Sequence, residues 1–266
     1  MRVLFIGEIV GKAGVYVVKT LLSGLRQELN ADFVIANGDG ATGGFGIGKN
    51  HAIYLRKLGV DVITGGDQTY YKKDMVPHIE SAYYMLRPAN YPPATPGRGW
   101  RYYNLPGDAR VAVISMLGQS GFDRVHGSNP YTYLPELAAR ARKETPHVIV
   151  DFHATTTAEK YTMFYLADGE VSALIGTGTR IQTADAQIFP KGTAVIADAG
   201  RTGSRDSVSG LDPGPEIRKF VTGVPERSSD TWVNLELQGV LIDLADDGKA
   251  TAITPLQRSC TGPVDE

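Results

Sequence analysis

The sequence predicts an α/β fold in which a mostly parallel sheet carries polar residues at the carboxyl ends of its strands. First, five apolar runs of strand length end in glycine or polar residues, as strands buried on both faces do. Second, strand-like and helix-like segments alternate over the first 65 residues, which predicts right-handed crossovers. Third, glycines cluster directly after the strands, where βα turns are tight. The five runs are Val3–Glu8, Phe33–Asp39, Val62–Asp67, Val148–His153 and Ala173–Arg180.

The elements of the first half follow from this alternation. Apolar residues at helical spacing predict a helix over 14–29, and Asp32–Asn37 is the second strand. A glycine-rich loop over Gly38–Gly48 then precedes the next helix. Onward from this loop we expect a helix at 49–58, a strand at 60–65, a short helix at 72–80, a loop at 88–107, a strand at 111–116, a loop at 118–130, a helix at 131–143, a strand at 147–151 and a helix at 156–165.

The segment after Glu170 has a different pattern, in which strands are linked mainly by loops. Residues of Thr231–Leu237 alternate in side-chain character, which indicates that one face of this strand meets water. The second half is therefore expected to be more antiparallel than the first. Its predicted elements are strands at 171–175, 193–197, 231–244 and 250–258 and a helix at 214–222.

Composition and charge limit the possible classes of function. With 266 residues, of which 42% are hydrophobic, the chain can form a sizeable core. A net charge of −2 gives no basic excess for binding a nucleic-acid polymer. No apolar run approaches the ~18 residues of a membrane span, and no charged-then-apolar leader precedes Arg2, so we expect a cytoplasmic protein. The single cysteine, Cys260, excludes an intrachain disulfide and a thiolate metal site.

The polar residues at the strand ends can share one site. Glu8, Asp39 and Asp67 supply carboxylates, His153 supplies an imidazole and Arg180 supplies a guanidinium. Ligands of open α/β sheets bind outside the carboxyl ends of the strands, so these side chains are expected to converge there. Carboxylate and imidazole groups bind divalent metals, and a metal pair about 3.5–4 Å apart can clamp a phosphoryl group. The loop at 118–130, which contains His126, is expected beside this site.

Six segments carry a resemblance to a known family: Leu4–Gly11, Arg87–Pro92, Thr95–Gly97, Asp151–Ala154, Ile181–Asp185 and Pro190–Ala194. In these segments and in their order, the chain resembles the YmdB-type family of calcineurin-like metallophosphoesterases. The resemblance implies a single domain over residues 1–266, folded as a four-layer α-β-β-α sandwich with mixed sheets. It also implies a dinuclear metal centre, phosphodiesterase activity on cyclic nucleotides and a homo-oligomer.

The predicted site departs from the pattern of that family at the first three strand ends. The family has Asp where Glu8 stands, Glu-Asn where Asp39 and Gly40 stand, and Asn-His where Asp67 and Gln68 stand. Exchanges between Asp and Glu keep the charge but move the oxygen by over about 1 Å, whereas metal geometry tolerates about 0.2 Å. In the family this glutamate bridges the metals and this histidine is the catalytic acid. Gln68 cannot donate a proton as an imidazolium does.

The two later strand ends differ from each other in how far they match the family. His153 is an unchanged ligand position, whereas Gly178 and Arg180 stand where the family has two further histidine ligands. Gly178 offers no ligand atom, and a guanidinium has no free lone pair and stays protonated. Three close carboxylates without a metal repel one another, and a guanidinium fork can neutralise them. We therefore predict that Arg180 occupies the space of the first metal and pairs with Glu8, Asp39 or both.

Three functional hypotheses follow from these substitutions. The first is a catalytically impaired or inactive homologue, without a cofactor, that acts in binding, assembly or regulation through further copies of itself or another protein. The second is an active phosphodiesterase with one divalent ion (Mn, Fe or Zn) at Asp39, Asp67 and His153. The third is a pocket that binds a phosphate-containing ligand through Arg180 without hydrolysis. We favour the first, and the third is compatible with it.

Overall fold

A computed structural model of the chain describes residues 1–122 and 127–263. The described residues form two β-sheets that pack face to face around an apolar layer. Helices cover the outer face of each sheet and form two further apolar layers with it. The molecule is therefore a four-layer α-β-β-α sandwich with mixed sheets, and the predicted fold class is confirmed.

The first sheet combines the N-terminal βαβαβ unit with a long hairpin from the end of the chain. Its order among the described residues is β2-β12-β13-β1-β3-β4-β5, with β14 paired to β13. The strands β1, β3, β4 and β5 are parallel, whereas β13 is antiparallel to β1. The strands are β1 (Arg2–Ile6), β2 (Glu8–Ile9), β3 (Phe33–Asn37), β4 (Val62–Thr64), β5 (Met85–Leu86), β12 (Arg201–Ser204), β13 (Leu235–Leu244) and β14 (Ala250–Cys260).

The second sheet is parallel in its centre and antiparallel at both edges. Its order among the described residues is β10-β11-β9-β8-β7-β6, and only the outer pairs, β10 with β11 and β6 with β7, are antiparallel. The strands are β6 (Trp100–Asn104), β7 (Arg110–Leu117), β8 (Val148–His153), β9 (Ala173–Thr177), β10 (Gln187–Ile188) and β11 (Ala194–Ile196).

Helices pack on the two outer faces of the sandwich. The first three cover the first sheet and the next two cover the second, whereas α6 buries little apolar surface. None of the helices in the described ranges is long and apolar enough to cross a membrane. The helices are α1 (Gly11–Glu28), α2 (Lys49–Lys57), α3 (Met75–Ser81), α4 (Pro130–Ala141), α5 (Thr157–Ala167) and α6 (Pro213–Thr222).

Side-chain alternation along the strands places the polar site between the sheets. In β1, Val3 and Phe5 face the second sheet, whereas Leu4 and Ile6 face the helices. Burial of one such side chain contributes about 1.5–3 kcal/mol. The inward rows of four parallel strands begin with apolar residues and end with polar ones. These terminal residues are Asn37 of β3, Thr64 of β4, His153 of β8 and Thr177 of β9.

The structure corrects three of the sequence-based element assignments. The segment at 88–107, predicted as a loop, contains the edge strand β6, which pairs antiparallel with β7. The prolines around this short strand hid its pattern. The strand predicted at 231–244 begins only at Leu235, and β12 forms in a segment where no strand was predicted. The two added strands, β6 and β12, leave the sheets more mixed than the mostly parallel arrangement expected from the first half.

Candidate functional site

The candidate site lies at the carboxyl edge of the sandwich, where strands of both sheets end. In the first sheet, the segments after β1, β3 and β4 carry Glu8, Asp39 and Asp67. In the second sheet, β8 ends at His153 and the segment after β9 carries Arg180. Four of these side chains line one cavity of about 280 Å³, and Asp39 lies behind it against His153. The five strand ends therefore meet at one place.

Arg180 forms a buried ion pair with Glu8. Its Nε and Nη2 atoms lie 2.8 and 2.6 Å from Oε1 of Glu8, and the side chains are only 10% and 2% exposed. Arg180 also donates from Nη2 to the carbonyl oxygen of Gly44 at 2.9 Å and from Nη1 to that of Ser209 at 3.3 Å. Burial disfavours the charge, but the attraction of Glu8 outweighs it and raises the pKa of the guanidinium. The pairing with Glu8 expected from the sequence is thus present.

Asp39 is held by backbone donors instead of by Arg180. Its Oδ1 accepts from the N–H of Gly66 at 2.6 Å, and its Oδ2 accepts from the N–H of Gln68 at 3.0 Å. Burial raises the pKa of Asp39 to about 7, although attraction by His153 opposes the shift. The loop that follows β4 therefore fixes this carboxylate, and Arg180 is left with a single carboxylate partner.

Asp39, Asp67 and His153 form a cluster with the chemistry of a metal site. The Nε2 atom of His153 lies 3.3 Å from Oδ1 of Asp67 and 3.8 Å from Oδ2 of Asp39. One ligand atom from each residue lies within 4.8 Å of the other two. Two carboxylates and one imidazole can hold one divalent ion, because mononuclear zinc sites function with three protein ligands.

A proton on His153 balances the cluster when no cation is bound. Burial would lower the pKa of His153, but the hydrogen bond with Asp67 and the attraction of Asp39 and Glu8 raise it to about 9. Burial would raise the pKa of Asp67, but the hydrogen bond with His153 holds it below its usual value. The imidazolium therefore occupies the electrostatic role that a divalent ion has in a metal site.

A second layer of polar side chains fixes the orientation of His153. Its Nδ1 atom lies 3.0 Å from Oγ1 of Thr177, and that hydroxyl donates to Oδ1 of Asp151 at 2.7 Å. Asp151 also accepts from Asn37 at 2.8 Å and from Thr64. Because Thr177 donates to the carboxylate, it accepts from Nδ1–H, so the Nε2 atom faces Asp39 and Asp67. This relay is the kind of support that orients metal-binding histidines.

Two glycines leave the space that the Arg180 side chain and its loop occupy. A Cβ atom on Gly40 would lie 2.9 Å from both Nη2 of Arg180 and Oε1 of Glu8. A Cβ atom on Gly178 would lie 2.9 Å from the carbonyl oxygen of Ala154, and its φ of +106° is unfavourable for other residues. Neither position accommodates a side chain in the present arrangement.

A buried ion pair fixes the loop that carries Arg180. Lys160 donates to Oδ2 of Asp198 at 3.0 Å, and the same oxygen accepts from the backbone N–H of Thr179 at 2.9 Å. Arg180 itself has a left-handed φ of 60°, and Nη1 of Arg201 donates to its carbonyl oxygen at 3.1 Å. These contacts fix the backbone at Thr179 and Arg180 and thereby the position of the guanidinium.

Gln68 and Phe122 complete the cavity in front of the cluster. The Oε1 atom of Gln68 is buried and has no hydrogen-bond partner among residues 1–122 and 127–263. An unpaired buried acceptor costs about 1–3 kcal/mol, so a donor or cation at this place is favoured. The ring of Phe122 stacks on His153 with 5.8 Å between centroids. His126, which belongs to the loop expected beside the site and was itself expected to be a solvated loop histidine, lies outside the described residues.

Sequence reasoning missed the supporting residues of the site. The apolar pattern predicts only strand positions for Asp151, Asn37 and Thr177, although a carboxylate inside an otherwise apolar run is a recognisable signal. Asp151 lies two residues before His153, and residues two apart in a strand share a face. This spacing predicts that both side chains point between the sheets. The loop-fixing pair of Lys160 and Asp198 had no such signal, because its partners come from distant segments.

Comparisons with relatives of known sequence identify the family. The family model described as "YmdB-like protein" matches residues 4–256. The chain is 39% identical over 249 residues to a 2',3'-cyclic-nucleotide 2'-phosphodiesterase of Bacillus subtilis, covering 94% of this chain and 93% of that protein. It is 32% identical to a putative phosphatase/phosphodiesterase of Mycoplasma pneumoniae, covering 92% and 88%.

Solved structures agree with this relationship. A hypothetical protein from Thermus thermophilus superposes with a TM-score of 0.90 at 31% identity, covering 99% of this chain and 100% of that one. A phosphatase from Mycoplasma pneumoniae gives a TM-score of 0.91 at 30% identity, covering 97% and 93%. A 5'-nucleotidase precursor from Thermus thermophilus shares only the fold, at 8% identity and a TM-score of 0.59, covering 97% of this chain and 54% of that one. The chain therefore belongs to the YmdB-like family.

Proposed function

We propose that the protein is a catalytically impaired homologue of the dinuclear-metal phosphodiesterases, in which a guanidinium replaces one of the two metal ions. The observation that carries this proposal is the buried ion pair between Arg180 and Glu8. In this arrangement the pocket serves binding, assembly or regulation instead of efficient hydrolysis. The relationship to a 2',3'-cyclic-nucleotide phosphodiesterase supports a phosphate-containing ligand for the pocket.

The first metal position does not fit a divalent ion. Oε1 of Glu8 accepts two donors of Arg180, so the carboxylate that would ligate the ion is already engaged. A fixed positive charge beside the carboxylate also repels a second cation. Gly40 supplies no side-chain ligand, and the space that such a ligand would fill holds Arg180. A two-metal mechanism is therefore not available to these residues.

The second metal position does fit a divalent ion. Asp39, Asp67 and His153 would hold it, and the unpaired Oε1 of Gln68 lies in the lining of the same cavity. A bound ion would supply Lewis acidity toward a phosphoryl oxygen. The relay from Asp151 through Thr177 keeps Nε2 of His153 directed at this position.

Besides the first metal ion, these residues lack a general acid that could donate a proton to the leaving group. Gln68 stands where the family has the histidine that acts as general acid, and its neutral amide has no ionisable proton to give to a leaving group. General acid–base catalysis contributes typically about 10²–10⁴-fold to a rate. Loss of this group, together with the missing first metal, supports impaired turnover even when the second position binds an ion.

The cluster of Asp39, Asp67 and His153 favours one alternative function. Three ligand atoms within 4.8 Å of one another support a mononuclear, metal-dependent phosphodiesterase. In that alternative, Arg180 would neutralise a bound phosphate in addition to Glu8. Each of its three nitrogen atoms already donates, to Glu8, Gly44 or Ser209, which supports the impaired form over the active one.

Metal content and turnover together test the proposal. The purified protein is loaded with Mn²⁺ or Fe²⁺, its bound metal is measured by elemental analysis, and hydrolysis of bis-p-nitrophenyl phosphate is followed. We expect at most one ion per chain and no turnover above that of Asp67→Ala. Turnover that is lost in Asp67→Ala and His153→Ala, but kept in the surface control Glu28→Ala, would establish the mononuclear enzyme instead.

The resemblance also supports a homo-oligomer and a single domain over residues 1–266, and we include these in the proposal together with the cytoplasmic location expected from the sequence. Light scattering of the purified full chain measures its oligomeric state. A monomer at micromolar concentration would contradict it.

A further inference from the structure

We infer that helix α6 is the surface on which a second copy of this chain docks, which rests on the homo-oligomer of the proposed function and specifies its contact. Ile217, Phe220 and Val221 follow the spacing i, i+3 and i+4, so they share one face of the helix. Val224 comes directly after Gly223, the left-handed residue at which the helix ends. These four apolar residues, the α6 stripe, are between 58% and 88% exposed.

The inner face of α6 is polar, which reverses the usual arrangement of a surface helix. Such a helix normally turns its apolar side towards the core. In α6, the one residue that the described part of the chain buries is Glu216. Its carboxylate accepts from Nζ of Lys219 at 2.6 Å and from the hydroxyl of Ser228. Polar contacts therefore attach the helix to the fold, and its apolar side is left for a contact between molecules.

The size of the α6 stripe matches the apolar part of a dimer interface. Its residues together expose roughly 500 Å², when a large aromatic side chain counts about 150–250 Å² and an aliphatic one less. The largest apolar patch of a typical monomer is about 300–600 Å² and is often functional. A standard interface buries about 800 Å² on each partner, of which about 65% is apolar in homodimers, or roughly 500 Å². The stripe therefore supplies the apolar centre of an interface of ordinary size.

The charges beside the stripe are already neutralised within the chain. Arg218 donates from Nε and Nη2 to the carboxylate of Glu226 at 2.9 and 2.6 Å, and Lys219 pairs with Glu216. Each of the two cations of α6 is thus matched by a carboxylate. Anionic membranes attract helices with an excess of lysine and arginine, which these pairs do not provide. A neutral surface also lets an identical surface approach without repulsion between like charges.

A second copy of the chain supplies the matching apolar surface. Two identical stripes related by a two-fold axis bring apolar side chains against one another, and two-fold dimers are the commonest soluble oligomers. Phe220 is the most exposed residue of the stripe and lies in its middle. Buried aromatic side chains near the centre of an interface contribute most of its binding energy. Phe220 is therefore the central contact of the inferred dimer.

Helix α6 lies beside the candidate site without lining it. Nη1 of Arg180 donates to the carbonyl oxygen of Ser209 at 3.3 Å, and the chain continues from there through Leu211 into the helix. The α6 stripe contributes none of the described residues that line the metal-site cavity. Docking at α6 therefore leaves the ligands of the metal position in place, and a change in oligomeric state is separable from a change in metal binding.

Sedimentation velocity of the full chain at micromolar concentrations tests the inference. We expect the wild type to associate, and Phe220→Asp and Ile217→Asp each to raise the dissociation constant by at least about hundredfold, because each buries a charge in the contact. Tyr165→Asp is the matched control, since Tyr165 is 71% exposed on α5, and it should change the constant by less than about threefold. Thermal unfolding verifies that these exposed substitutions keep the fold.

Three outcomes would overturn the inference. A wild type that stays monomeric would contradict both the inferred contact and the homo-oligomer of the proposed function. Association that is unchanged in Phe220→Asp and Ile217→Asp would contradict the contact alone, because the copies would then meet through another surface. Cosedimentation of the wild type with phosphatidylglycerol vesicles, together with its loss in Phe220→Asp, would assign α6 to a membrane surface instead.

Discussion

The two halves of the candidate site keep their charges balanced in different ways. At the first position, Glu8 is neutralised by the permanently charged Arg180. At the second, Asp67 is neutralised by His153, which can lose its proton and become a metal ligand. Under the proposed function, the site retains its electrostatic balance while it loses catalytic chemistry. A guanidinium stabilises buried carboxylates as a metal does, but it neither accepts ligands nor activates water.

The largest expected effect is on stability, through loss of the cation at the first position. Arg180→Ala leaves Glu8 buried and unpaired, and we expect a loss of about 3–5 kcal/mol in the free energy of unfolding. Urea denaturation at neutral pH measures this loss. The exposed pair of Arg142 and Glu170 is the control, and Arg142→Ala should cost about 1 kcal/mol or less. Equal costs for both variants would mean that Arg180 does not balance the site.

The second expected effect is on the pH dependence of Mn²⁺ binding at the second position. Because the pKa of His153 is raised to about 9, the ion must displace its proton at neutral pH. Affinity should rise by about fiftyfold between pH 7 and pH 9, which is about 2.3 kcal/mol. Calorimetric titration at several pH values measures this slope.

The same shift has a consequence for the metal-free protein. A raised pKa means that His153 contributes stability below its ordinary value of 6.5, and this contribution is lost as the pH rises through about 9. The control for both effects is His153→Gln, in which the slope of Mn²⁺ affinity above pH 7 should disappear. A slope that persists in this variant would assign the proton to another group.

The third expected effect tests whether Gly40 and Arg180 depend on each other. Gly40→Asn places a Cβ atom 2.9 Å from Nη2 of Arg180, and we expect a cost of about 1–3 kcal/mol. The double variant with Arg180→Ala should cost less than the sum of the single variants, by at least about 0.5 kcal/mol. Gly24→Asn is the control, because a Cβ atom there meets nothing within 4 Å. Strict additivity would show that the two positions are independent.

The smallest expected effect concerns the relay behind His153. Thr177→Val removes the hydroxyl between Nδ1 of His153 and Asp151 without changing the size of the side chain much. We expect Mn²⁺ affinity to fall by about tenfold, at the lower end of the range for such supporting groups. Thr162→Val, on the exposed face of α5, is the matched control. An unchanged affinity would show that the relay does not orient the imidazole.

Local pattern predicted the buried strands and the location of the site, whereas the four-layer arrangement was expected only from the resemblance to the family. Apolar runs bounded by polar residues specify buried strands, and parallel strands bring their carboxyl ends to one edge. The ion pair of Arg180 with Glu8 was also foreseeable from charge balance. That Arg180 pairs with Glu8 and not with Asp39 was not foreseeable. It depends on the backbone N–H groups of Gly66 and Gln68, which already bind Asp39.

Features that depend on distant contacts were not predictable from local pattern. The edge strand β6 lies among prolines, and it is defined by pairing with β7. The left-handed backbone of Arg180 is held by Asp198 and Arg201, which lie in a later segment of the chain. Single-sequence periodicity contains no information about such pairings, so the loop that directs the guanidinium could be identified only in the folded structure.

The most direct test of the account is a crystal structure of the protein grown with excess Mn²⁺, with ions located by their anomalous scattering. The account predicts one peak, bounded by Asp39, Asp67 and His153, with the guanidinium of Arg180 still on Glu8. Two peaks about 3.5–4 Å apart, with Arg180 turned away from Glu8, would contradict it.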